Sequence, residues 1–253
     1  ADYRLGAGDE VTIEVWGASQ KSYEETISPD GNVTIKDVGL FSLAGLTVKE
    51  ANDYLKKEMG RYFKDSNILL TVGEVRSVQV QVMGEVVMPG SYTLSALSTA
   101  FNALYAAGGI NDIGTLRDIK VYRGGRVIST IDVYDYILNG NTKGDVRLED
   151  NDVIVVGPYD CLVNIQGKVK RPMYYEMKES ESVATILGYA GGFAGDAYTD
   201  NIRVIRKSGR EYSVHTVGEF EMNGFLLKDG DSLYVDSVIP RFSNMAEVRG
   251  AVF

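Results

Sequence analysis

One stretch of this chain occurs twice. Val82-Met83-Gly84-Glu85-Val86 returns as Ile165-Gln166-Gly167-Lys168-Val169, 83 residues later. At the same offset Pro89 falls on Pro172, Tyr92 on Tyr175, Ala107-Gly108-Gly109 on Ala190-Gly191-Gly192, and Asp118-Ile119-Lys120-Val121-Tyr122-Arg123 on Asn201-Ile202-Arg203-Val204-Ile205-Arg206. After Asn139-Gly140, which matches Asn223-Gly224, the first copy carries extra residues, Asn141 to Asp145. Matching resumes with Leu148-Glu149-Asp150-Asn151-Asp152 against Leu227-Lys228-Asp229-Gly230-Asp231. A repeat of this length holds a small core of its own, so the pattern reads as a duplicated domain rather than a solenoid. The opening recurs again as Val248-Arg249-Gly250-Ala251-Val252, which reads as the start of a third copy.

Each copy begins with period-2 alternation, Val78, Val80 and Val82 with Val86 beyond Gly84, the signature of a half-buried strand. Pro89-Gly90 signals a turn and Tyr92-Thr93-Leu94 a returning strand. Ala100, Ala103, Leu104 and Ala107, and in the second copy Val183, Ile186, Leu187 and Ala190, fall at i, i+3, i+4 and i+7, one apolar helical face. Ser98, and Ser180 or Ser182, are the candidate N-caps, and both helices run into Gly-Gly, suited to a left-handed C-terminal cap. A hairpin follows around Arg123-Gly124-Gly125-Arg126 or Lys207-Ser208-Gly209. A short link, Tyr134 to Leu138 in the first copy, leads to a closing strand, Asp152–Val156 or Asp231–Val235. Strand, strand, helix, strand, strand, link, strand is the order of a β-grasp domain, an α+β layer.

The first 77 residues do not match the repeat. Val11, Ile13 and Val15 alternate, Ser28-Pro29-Asp30-Gly31 is a turn, and Val33 and Ile35 continue as a strand. Thr47 and Glu50 make a capping box before a face of Val48, Ala51, Leu55 and Tyr62, and Ile68–Val72 closes the segment as a strand. Here the chain resembles a known family. Tyr3-Arg4-Leu5-x-x-Gly8-Asp9-x-Val11-x-Ile13-x-Val15, Ser28-Pro29-Asp30-Gly31-x-Val33-x-Ile35, Val38-Gly39 and Leu43-Ala44-Gly45-Leu46-Thr47-x-x-Glu50-Ala51 look like the polysaccharide export domain of Wza-type outer-membrane polysaccharide export proteins. The copies that follow look like SLBB (soluble-ligand-binding β-grasp) domains. The second copy departs from the pattern, with Arg171-Pro172-Met173 where Pro-Gly is expected.

The resemblance implies an α+β chain: a polysaccharide export domain at 1–77, SLBB β-grasp domains at 78–160 and 161–241, and the start of a truncated third repeat at 242–253. It implies a periplasmic, outer-membrane-associated subunit that forms a homo-oligomeric ring through which capsular or exopolysaccharide leaves the cell. An inner-membrane polysaccharide co-polymerase is a further implied partner. The family's lipid-bearing N-terminal Cys and C-terminal membrane-spanning helix have no counterpart in these residues.

Composition narrows the alternatives. A net charge of -9 without a long basic run argues against a nucleic-acid partner, since phosphate neutralisation supplies most of that affinity. One cysteine, Cys161, permits no intrachain disulfide and sits in an apolar run, as a small buried hydrophobe does. Gly6-Ala7-Gly8 starts like a phosphate loop but leads into strand alternation rather than a helix. His215, the one histidine, has no legible triad or metal partner.

The pairs Asp150/Asp152 and Asp229/Asp231 have the residue type used in glycoside hydrolysis or calcium binding. Both stand just before a strand, as Gly8-Asp9 does, and turn formation accounts for all three. They are expected to be turn and cap groups, solvent-facing and away from any deep pocket. Tyr92, Tyr174, Tyr175 and Tyr189 have the chemistry to stack on sugars, but packing is the ordinary role of strand tyrosines. No catalytic, cofactor-binding or metal-binding residue is assigned, and no cofactor is expected. The leading reading is a non-enzymatic export subunit. The alternatives are a periplasmic carbohydrate- or partner-binding β-grasp module without a conduit role, and a carbohydrate-active enzyme using paired carboxylates.

Overall fold

The computed structural model describes residues 3–240 and 244–245; the expected third repeat, with its Val248 and Val252, lies outside the described residues. The chain divides into two compact units, one of Ala1–Gly114, Asp118–Tyr136 and Gly140–Gly157, the other of Thr115–Arg117, Ile137–Asn139 and Pro158 onward.

In the first unit, β1 (Glu10–Gly17) lies between β2 (Lys21–Thr26) and β5 (Ser66–Val72), antiparallel to both. β3 (Asn32–Ile35) and β4 (Gly39–Ser42) form a separate hairpin. Val11, Ile13 and Val15 all point inward, as their alternation requires. Helix α1 (Val48–Met59) starts at the expected capping box: Glu50 N–H donates to Thr47 Oγ1 (3.2 Å) and Thr47 N–H to Glu50 Oε2 (2.8 Å). Its buried face is Ala51, Leu55 and Met59. Tyr62 is not part of it: the helix ends at Met59, and Tyr62 is exposed beyond the cap. Asn52 binds β5 to the helix, donating to Leu70 C=O (3.0 Å) and accepting from Leu70 N–H (2.8 Å). The polar strand β2 carries no apolar alternation to announce it, and β4 is too short to show one.

The first copy builds a five-stranded sheet from β6 (Ser77–Gly84), β7 (Gly90–Ser95), β8 (Gly114–Arg123), β9 (Arg126–Ile131) and β10 (Val153–Pro158), in the order β7-β6-β10-β8-β9. The second copy builds another from β11 (Leu162–Gly167), β12 (Met173–Glu176), β13 (Asn201–Ser208), β14 (Glu211–Gly218) and β15 (Ser232–Val235), in the order β12-β11-β15-β13-β14. The orders correspond strand for strand, and in each sheet the closing strand runs parallel to the opening one. Helix α2 (Ala100–Ala106) buries Ala100, Ala103 and Leu104, and α4 (Val183–Tyr189) buries Val183 and Ile186.

Ser182 caps α4, but α2 is capped by Thr99 rather than Ser98. Backbone at Thr99 is still extended (φ -104°, ψ 173°), and its N–H donates to Asn102 Oδ1 (2.9 Å). The Ser98 carbonyl is engaged by Leu148 N–H (3.0 Å). Both Gly-Gly pairs are left-handed at the helix end, φ 78° and 86° in the first copy, 81° and 86° in the second. The hairpin turn of the first copy is Gly124-Gly125, both with positive φ. That of the second is Gly209-Arg210, one residue on from the expected place, because β13 stays paired through Ser208. The link of the first copy is helix α3 (Val133–Asn139), capped by Asp132; that of the second is a short 3-10 turn, Glu219–Glu221.

Candidate functional site

The acidic turns are one device used three times. Leu5-Gly6-Ala7-Gly8-Asp9, Leu148-Glu149-Asp150-Asn151-Asp152 and Leu227-Lys228-Asp229-Gly230-Asp231 share a spacing of Leu and Asp. All three leucines are buried. The residue before each final Asp has positive φ: Gly8 92°, Asn151 65°, Gly230 78°. That bend turns the Asp carboxylate back onto the backbone three residues earlier. Asp9 accepts from Gly6 N–H (2.8 Å), Asp152 from Glu149 N–H (2.8 Å) and Asp231 from Lys228 N–H (2.9 Å).

The expectation that Asp152 and Asp231 face solvent is wrong. Asp9, Asp152 and Asp231 are essentially fully buried, because each meets an arginine. Arg123 reaches Asp152 through Nε (2.9 Å) and Nη2 (2.8 Å), and Arg206 reaches Asp231 through Nε (2.9 Å) and Nη2 (2.7 Å). Arg76 Nη1 lies 3.0 Å from Asp9 Oδ2, and Tyr3 Oη donates to Oδ1 of the same carboxylate. A bidentate arginine with a backbone N–H satisfies a buried carboxylate that would otherwise be costly. The hydrogen bond to the aspartate, then its charge, hold Arg123 and Arg206 above the ordinary guanidinium range against the opposing effect of burial.

Asp150 and Asp229 are exposed and have a second duty at the strand entrance. Asp150 accepts from Gln79 N–H (2.9 Å) and Asp229 from Leu162 N–H (2.8 Å). Each pair therefore holds a turn to an arginine and to the start of the adjoining strand. These carboxylates are committed to structure, and the pairing of Arg123 with Arg206 in the repeat was the signal that could have revealed it.

The tyrosines fall into different roles. Tyr92 and Tyr175, equivalent in the repeat, donate to the carbonyls of Met88 and Arg171, each four residues earlier. They fix the loop that follows the opening strand. Tyr189 donates to Glu181 Oε1 (2.7 Å), and Arg117 Nη2 lies 2.9 Å from the same oxygen. Burial, then the hydrogen bond to Glu181, pushes the Tyr189 hydroxyl up to about 12. Burial would raise the Glu181 carboxyl, but hydrogen bonds from Arg117, Tyr189 and Lys178 N–H bring it below the usual carboxylate range. Tyr174 is exposed. Cys161 is buried, and burial pushes its thiol up to about 11. His215 is half-buried, 3.0 Å from Ser213 Oγ through Nε2.

The loops held by Tyr92 and Tyr175 have the same backbone and opposite surfaces. In the first copy Val87 N–H donates to Gly109 C=O and Met88 N–H to Ala107 C=O; in the second Lys170 N–H donates to Gly192 C=O and Arg171 N–H to Ala190 C=O. The side chains set outward are Val87 and Met88 in the one, with Tyr105 and Ile113 also exposed, and Lys170 and Arg171 in the other. Among the described residues no group of three or more His, Cys, Asp and Glu is placed to hold a metal ion, and no helix is long and apolar enough to cross a membrane.

Comparison with known proteins gives these features a family. Residues 1–83 match the polysaccharide biosynthesis/export protein family, and residues 79–131 and 162–215 match the SLBB domain. The polysialic acid transport protein KpsD of Escherichia coli is 30% identical over 251 residues, covering 98% of this chain and 44% of that protein. The EPS I polysaccharide export outer membrane protein EpsA of Ralstonia nicotianae is 27% identical over 270 residues, covering 93% of this chain and 71% of that protein. The chain thus spans less than half the length of KpsD.

Proposed function

Since residues 1–83 belong to the polysaccharide biosynthesis/export family and two SLBB domains follow, we propose that this chain is the periplasmic part of an outer-membrane polysaccharide export subunit. The observation that carries the reading is the order of the family matches along the chain, with sequence similarity to KpsD over 98% of it. The subunit assembles into a ring, and the ring guides capsular or exopolysaccharide outward. Its action is geometric: stacked domains enclose a bore, and the polymer slides through it. The net acidic chain has little general attraction for an anionic polymer, which favours passage over capture. We assign residues 1–77 to the export domain, 78–160 and 161–241 to the SLBB domains, and 242–253 to the start of a third repeat. An inner-membrane polysaccharide co-polymerase is the expected partner on the periplasmic side.

Deletion of the gene is expected to abolish surface polysaccharide while intracellular polymer accumulates, with restoration by the full-length gene. Normal surface polysaccharide in the deletion strain overturns the reading. The isolated 253-residue chain is expected to be monomeric or weakly associating, and the full-length protein ring-forming, because closure multiplies weak heterologous contacts. Light scattering of both decides this, and a tight dimer of the isolated chain through a large apolar interface counts against a ring.

A further inference from the structure

The two copies differ where the repeat loses its register. Strand pairing aligns Ser129, Thr130 and Ile131 of β9 with His215, Thr216 and Val217 of β14, since Ile119 pairs with Ile131 and its equivalent Ile202 with Val217. Val146 and Phe225 also correspond, each accepting through its carbonyl the N–H of the first helical residue, Ala100 or Val183. In the first copy the extra residues Asn141–Asp145 pack over this place. Ser129 Oγ donates to Gly144 C=O (2.8 Å), and a Cβ on Gly144 would stand 2.8 Å from Thr130 O, so chain fills the space closely.

The second copy lacks those residues, and a trough of about 610 Å³ is open there, lined by Val214, His215, Thr216, Glu221, Gly224 and Phe225. Consecutive strand residues point to opposite faces, so a trough touching Val214, His215 and Thr216 runs along the edge of β14. Among the described residues that strand is the last in its sheet.

We propose that this trough is a saccharide-binding site of the second SLBB copy, closed in the first copy by its own chain. The proposal rests on the export reading for the class of ligand, and on the following geometry for the place. Phe225 is held from below the repeat's lock: the Arg206 guanidinium that grips Asp231 lies 4.9 Å from the Phe225 ring centre, and the imidazole of His215 lies 5.5 Å from it. Val146 in the first copy offers no such ring. Beside Phe225 stand two polar side chains with atoms left for a ligand. His215 uses Nε2 with Ser213, and Glu221 uses Oε2 with Gly218 N–H (3.1 Å). The other imidazole nitrogen and Glu221 Oε1 have no hydrogen-bond partner among the described residues, and both residues line the trough. A carboxylate and an imidazole beside the apolar ring of Phe225 suit adjacent sugar hydroxyls with a C–H face between them. The carboxylate favours neutral sugar units over acidic ones.

His215 is the only histidine in the chain, so its imidazole resonances report on this trough alone. The folded chain is titrated, with NMR detection, against neutral gluco- and galacto-oligosaccharides, oligosialic acid, and the pentapeptide Asn-Thr-Lys-Gly-Asp that copies the first copy's insertion. At least one neutral oligosaccharide is expected to shift His215 saturably, with Glu221→Gln weakening it about tenfold, as loss of a charge-assisted hydrogen bond does. Thr216→Val, on the face of β14 opposite His215, is expected to leave it unchanged. The proposal is overturned if no neutral oligosaccharide moves His215, if Glu221→Gln binds as tightly as the parent, or if only the peptide binds, which makes the trough a protein-docking edge. An unresponsive His215 with export still lost on gene deletion removes the site and leaves the export reading. Saturable binding with export intact in the deletion strain does the reverse.

Discussion

The first and second SLBB copies share a frame and differ in almost everything set upon it. Both keep the buried aspartate with its bidentate arginine, the tyrosine that holds the loop, and the left-handed Gly-Gly pair. Where Val87 and Met88 face outward in one, Lys170 and Arg171 do so in the other. Where the first copy is filled by Asn141–Asp145, the second is open. The turn chemistry of the repeat answers to the backbone, and the surface answers to whatever each copy meets. An apolar loop and a basic loop do not suit the same neighbour.

If the frame is truly shared, equivalent changes in it must cost the same in both copies. Asp152→Ala and Asp231→Ala strand a partly buried arginine and release a turn, and each is expected to lower stability by about 3–5 kcal/mol, read by denaturant unfolding. A loss of under 1 kcal/mol in one copy breaks the equivalence. Gly84→Ala and Gly167→Ala come next. Both glycines have positive φ (86° and 84°), and a Cβ would stand 2.0 Å from Val156 O or 2.1 Å from Val235 O. A backbone oxygen cannot step aside cheaply, so a loss of about 3 kcal/mol each is expected, with melting curves showing it.

Alkaline pH sharpens a difference instead, because the first copy has Ala106 where the second has Tyr189. The folded chain holds the Tyr189 proton up to about 12, against 10.0 for a free tyrosine. Its contribution is fully present below pH 10 and is lost as pH rises from there toward 12. Tyr189→Phe should flatten part of the fall in melting temperature over that window, and an unchanged slope argues against the hydroxyl's confinement. The smallest effect is that of Tyr92→Phe and Tyr175→Phe, about 1 kcal/mol each for one hydrogen bond. Their main consequence is faster amide exchange in the loops they hold.

Much of this was legible in the sequence. The order of strands and helices follows from apolar periodicity and the offset between copies, and the Thr47–Glu50 capping box stands as the residues foretell. What was not legible depends on partners far along the chain. Asp152 and Asp231 look like ordinary turn aspartates until Arg123 and Arg206 arrive from another strand, 29 and 25 residues away. β2 is a polar edge strand whose residues Lys21–Thr26 carry no inward-facing apolar set, and only pairing with β1 defines it. The trough needs β14, the 3-10 turn and Phe225 together, and it exists through residues the second copy lacks. No local pattern announces an absence.

The lock also bears on how such chains can lengthen. Asp231 draws its partners from Arg206 and Lys228, and Asp152 from Arg123 and Glu149, all within the same copy. A duplicated gene segment therefore brings both halves of this lock with it, whereas the Arg117–Glu181 pair joins a residue of the first copy to one of the second. For the lock alone, no newly inserted copy has to borrow a counter-ion from a neighbour. The lock therefore sets no bar to adding or removing whole copies, while point changes inside it are punished at once. Such a lineage is expected to vary in the number and decoration of its copies long before it varies in their skeleton.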